Sequence, residues 1–130
     1  MKEHFIKFIP GNLRPQYLTA SIADTEALLR FLYREIGCRS IENVWTNLGS
    51  GKERIIMVVD EEGLLKDDPE PNLTGCAIYN GTIVGNLIIG REVIRDGEPD
   101  FGGFESVLDA IVIASQIESR TIRAVRSRWK

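Results

Sequence analysis

The sequence predicts an α+β domain: a curled, mainly antiparallel sheet of about five or six strands, with one helix in the N-terminal half and one at the C-terminus. Three observations predict it. Short apolar stretches, several of them alternating, recur through the first ninety residues with turn residues between them. One amphipathic segment with residues suited to both caps interrupts them at 24–37. A long segment, first apolar and then basic, follows the last loop. The 130 residues fit one domain, large enough to bury a core without disulfide or metal staples.

Residues 3–9 (EHFIKFI) alternate imperfectly and read as a first strand, ended by Pro10-Gly11. Gln16 to Ile22 reads as a second extended segment. In the helix that follows, Asp24 can accept from free N–H groups of the first turn, and Glu26 lies where the dipole favours an anion. Gly37 can take the left-handed position just past its end. At ~100° per residue, Leu28, Leu29, Phe31, Leu32 and Ile36 fall within an arc of about 160°, with Glu26, Arg30 and Arg34 outside it. That face enters a core.

Ser40 to Thr46 alternates, with Ile41 and Val44 or Trp45 competing for the buried side. Leu48 to Glu53 is turn-like, and Arg54 to Asp60 is a nearly continuous apolar strand. The polar segment 61–72 (EEGLLKDDPEPN), with its two prolines, reads as a surface loop. Residues 73–79 and 82–89 flank Asn80-Gly81, which predicts a type I′ hairpin between two strands, with Gly85 marking a bulge or bend. Residues 91–103 read as a further loop. The last helix is expected from about Phe104 toward residue 126. Its middle (VLDAIVIA) is apolar nearly all round and rich in β-branched residues, which leaves a buried strand open there. Residues 1–119 form the expected globular domain, and 120–130 a basic extension of the last helix.

Composition excludes several chemistries. With one His and two Cys, a zinc knuckle built of His and Cys is impossible, and a Ser-His-Asp triad would have to recruit His4. Cys38 and Cys76 lie far apart and read as reduced thiols. No apolar run reaches the ~18 residues of a membrane span, and Lys7 breaks the first apolar run, so no membrane partner is expected and the chain reads as cytoplasmic.

The motifs are thin. Gly49-Ser50-Gly51-Lys52 lacks the phosphate-loop glycine, since Thr46 stands in its place, and has Glu53 where Ser or Thr is needed. Asp96, Glu98 and Asp100 have the spacing of first calcium ligands, but Phe101 and Val107 occupy the positions that need Gly and Glu. No metal ligand, cofactor or catalytic residue is assigned. Asp60, Glu61 and Glu62, with Asn72 beyond them, form the candidate ligand loop, where paired carboxylates need a pocket that separates their pKa values. The net charge of −3 conceals an asymmetry: residues 1–119 hold 11 basic and 19 acidic residues, a net of −8, and residues 120–130 carry +5. Arg120, Arg123, Arg126, Arg128, Trp129 and Lys130 are the candidate interaction residues. This tail can pack, contact a protein, grip phosphates with Trp129 stacking on a base, or fray.

Residues 37–90 carry GCRSIENVWTN and IIMVVDEEGLLKDDPEPNLTGCAIYNGTIVGNLIIG. This stretch resembles an uncharacterised domain-of-unknown-function family found in phages, plasmids and conjugative elements of Firmicutes. The matching elements are Ile41-Glu42, Asp60-Glu61-Glu62-Gly63, Asn72, Ala77 and Ile83-Val84-Gly85-Asn86; Arg39-Ser40 replaces the family's glycine pair. The resemblance covers about 50 of 130 residues and implies a mobile-element accessory protein, without supplying a reaction or ligand. The expected function is therefore a non-enzymatic protein-interaction module, self-associating or binding another protein. The alternatives are a weak nucleic-acid binder using the basic tail, and a small-ligand binder or enzyme at 60–70.

Overall fold

In the computed structural model, which describes residues 2–49 and 53–128, an open six-stranded antiparallel sheet carries helices on both faces. The strands are β1 (Lys2–Phe8), β2 (Gln16–Ser21), β3 (Ile41–Trp45), β4 (Ile55–Asp60), β5 (Leu87–Arg95) and β6 (Glu98–Gly102). The helices are α1 (Thr25–Ile36), α2 (Leu73–Tyr79) and α3 (Val107–Arg128), with a single 3-10 turn at Gly63–Leu65. The sheet order is β2-β1-β5-β4-β3, and β6 pairs with the far half of the long β5.

Strand periodicity sorts the core into two layers. Phe5, Ile56, Val58 and Ile88 point to one face, where Leu28, Phe31, Leu32 and Ile36 of α1 cover them. Ile6, Phe8, Ile55, Met57, Leu87 and Ile89 point to the other, under α2 and α3. Burial on both faces is why β4 reads as an unbroken apolar run. The α1 boundaries follow local signals: Asp24 Oδ1 accepts the Ala27 N–H at 2.8 Å, and Gly37 closes the helix at φ 79°. On β3, Val44 is buried and Trp45 lies in solvent beneath the Arg54 guanidinium.

Two segments differ from the sequence expectation. Residues 73–79 form α2 instead of a strand, and only Leu87 onward of 82–89 joins the sheet. Asn72 caps α2 by accepting the Gly75 N–H at 3.1 Å, and Asn80 ends it at φ 58°. The left-handed conformation that suits a type I′ turn equally suits a helix C-cap. Gly75 lets α2 lie flat on the segment before β5: a Cβ there would stand 2.6 Å from Ile83 and 2.8 Å from Leu87. The second difference is at 91–103, where β5 and β6 pair across Asp96-Gly97, both at positive φ. The hairpin therefore forms at Asp-Gly and not at Asn-Gly.

The apolar segment after residue 104 is helical. Phe104 itself stays outside α3, exchanging backbone hydrogen bonds with His4, and Ser106 Oγ accepts the Asp109 N–H at 3.1 Å to start the helix. Ala110, Ile113, Ala114 and Ile117 face the sheet.

Candidate functional site

The loop after β4 folds back against the C-terminal end of α1. Asp60 is the hub: its Oδ2 meets Lys66 Nζ at 2.7 Å, and its Oδ1 accepts the Glu62 N–H at 2.9 Å. Lys66 also donates to the Gly37 carbonyl at 3.2 Å, and Glu62 pairs with Arg39 at 3.5 Å. These groups line an open cleft of about 650 Å³ together with Cys38.

Of the candidate ligand residues, Asp60 and Glu62 share this cleft. Glu61 is exposed and does not line it. Asn72 is buried elsewhere, its Nδ2 donating to the carbonyls of Phe8 at 3.1 Å and Gly85 at 2.9 Å. Its role is structural. The hydrogen bond that Lys66 donates to Asp60 pushes its ammonium above the ordinary value. Burial, then the charge of Asp60, pushes the Cys38 thiol up.

The acidic run at 96–100 and His4 have partners within the fold, whereas Ser50, Gly51 and Lys52 of the glycine-lysine motif lie outside the described residues. Asp100 accepts from Arg95 at 3.1 Å and from Thr25 Oγ1 at 3.0 Å, while Arg95 also pairs with Glu3 at 3.3 Å. His4 Nδ1 meets Thr19 Oγ1 at 3.0 Å across β1 and β2. Among the described residues no group of three His, Cys, Asp or Glu side chains is placed to hold a metal ion, and no helix is long and apolar enough to cross a membrane.

The tail candidates divide. Arg120 donates to Asn47 Oδ1 in the loop after β3, which ties it to the domain. Arg123 and Arg126 are exposed on α3. Trp129, Lys130 and the Arg128 side chain lie outside the described residues.

The surface that sequence reasoning missed is the outer face of α3. Val107, Leu108, Ile111 and Val112 stand in solvent at 42%, 72%, 40% and 58% exposure. Its signal was present: VLDAIVIA is apolar nearly all round because α3 has a second apolar face besides the one on the sheet. Further along, Ile122 (47% exposed) lies beside Leu13 and Tyr17. They line an open cleft of about 530 Å³ between α3 and the segment entering β2. Burial, then the charge of nearby Glu118, pushes the Tyr17 hydroxyl up. No protein family, curated protein or solved structure matches this chain.

Proposed function

We propose that this protein is a non-enzymatic protein-interaction module, a mobile-element accessory protein that works by binding through the outer face of α3. One observation carries the reading: four large apolar side chains, Val107, Leu108, Ile111 and Val112, lie together in water on two successive turns of one helix. Isolated exposed apolar residues are ordinary, whereas a contiguous apolar patch marks a contact surface.

The test compares wild type with Leu108→Glu by quantitative mass spectrometry of tagged protein purified from its host. The reading predicts a defined protein component, self or foreign, that wild type retains and Leu108→Glu loses at unchanged thermal stability. Identical protein content in the two preparations would overturn it. Retained nucleic acid, released by salt and by substituting Arg123 and Arg126, would transfer the function to the basic tail.

A further inference from the structure

The interaction reading leaves the partner open, and the geometry of α3, on which this inference rests, points to one. We propose that α3 pairs antiparallel with α3 of a second copy of this chain, about a two-fold axis at Ser115. Counted at ~100° per residue, Leu108, Ile111, Ser115, Ile122 and Arg126 fall within an arc of about 60° on the outer face, with Val112 and Arg123 along one flank. The helix has 22 residues, ~33 Å in length.

A two-fold interface requires one surface to carry both halves of its own complement. This face does. Leu108, the most exposed apolar residue of α3, projects near one end, and the cleft formed by Leu13, Tyr17 and Ile122 opens near the other. Leu108 and Ile122 each lie seven residues from Ser115. A two-fold axis there sets each Leu108 over the cleft of the other copy.

Charge selects the same direction. Asp109 is exposed in the first turn of α3, and Glu105, which meets Arg91 at 3.9 Å, is exposed just before it, while Arg123 and Arg126 are exposed toward its end. Antiparallel pairing brings the acids of one copy to the arginines of the other, whereas parallel pairing would set like charges together. At the crossing, Ser115 and Ser119 are exposed and small, which lets the axes approach to ~8 Å. The helix strip alone, ~33 Å by ~10 Å, falls short of the ~800 Å² per partner of a standard interface. Seating Leu108 in the cleft adds Leu13, Pro15 and Tyr17 to the contact.

The experiment uses the full chain. Sedimentation equilibrium should show a dimer of wild type, and Leu108→Glu should raise its dissociation constant at least ~30-fold with the circular dichroism spectrum unchanged. Asp109→Arg should weaken the dimer, and Arg123→Asp added to it should restore affinity. Under mild oxidation, Ser115→Cys should link two copies through position 115 on both, identified by peptide mapping. A wild type that stays monomeric up to about 1 mM overturns the second copy as partner. A dimer indifferent to Leu108→Glu, with no 115–115 disulfide, overturns it as well. If the wild type is monomeric but still loses a foreign protein on Leu108→Glu, only the choice of partner fails. If it is monomeric and loses nothing, the interaction reading fails with it.

Discussion

Asn72 joins three segments of the chain: its Nδ2 donates to the last residue of β1 and to Gly85 before β5, while its Oδ1 starts α2. Replacing it with Ala strands a buried N–H and two carbonyls, so Asn72→Ala should cost about 2–4 kcal/mol in urea unfolding. Next to it, Thr74 Oγ1 is buried and has no hydrogen-bond partner among the described residues. Thr74→Val removes that unpaired hydroxyl at similar shape, and should be neutral or raise stability by up to about 1 kcal/mol in the same assay. Asn72 read as a loop ligand because its partners lie 64 and 13 residues away, beyond the reach of local pattern. Asp24 and Gly37, whose partners lie within the same helix, were legible at once.

The Asp60–Lys66 pair makes a statement about pH at the same scale. The folded state raises the Lys66 value above the ordinary 10.5, so it binds that proton more tightly than the unfolded chain does. The contribution is complete below the ordinary value and fades as pH rises through the raised one. Lys66 is half exposed, which limits the pair to about 1 kcal/mol or less. Urea unfolding should therefore show Lys66→Met less stable than wild type at pH 7 to 9 and the gap closing above pH 10.5. The Cys38 thiol, pushed above its ordinary 9.0 by burial and then by Asp60, should react with disulfide reagents slowly at pH 8, and faster only as pH passes that value.

At the scale of elements, two Asx-Gly dipeptides show what a local pattern can and cannot separate. Asn80-Gly81 and Asp96-Gly97 both supply positive φ, yet one ends α2 and the other turns β5 into β6. The difference lies upstream, in Asn72, which is positioned to cap a helix that Asn80 can then terminate. Packing seals the choice, because α2 meets Ile83 and Leu87 so closely at Gly75 that no Cβ fits. Gly75→Ala should destabilise by about 1–3 kcal/mol, although Ala is the better helix former. A gain in stability would show that α2 is free to lift from the sheet. β1, β3 and α1 were legible because alternation or a capped stripe marks each one, β2 as an extended segment and β4 as an unbroken apolar run. α3 was legible as an apolar segment, and its type was settled by the sheet face it covers.

For the whole molecule, the layered arrangement gives the apolar pattern its meaning. α1 covers one sheet face, α2 and α3 the other, and both core layers are closed. The apolar residues left over on α3 consequently belong to no interior of the single chain. The charge split between an acidic body and a basic C-terminal segment was plain in the residue counts. Its use was not, since only the helix shows Arg120 tied to Asn47, with Arg123 and Arg126 exposed further along. Pairing two copies through α3 would cover the apolar face and set those arginines against Glu105 and Asp109.

Whether that face is covered can be measured directly by photochemical carbene labelling of the full chain at increasing protein concentration, read by peptide mass spectrometry. The account predicts that labelling of residues 107–112 falls as concentration rises, while labelling of Trp45 and Leu65, comparably exposed on other surfaces, stays constant. Labelling of 107–112 that does not change with concentration would contradict it.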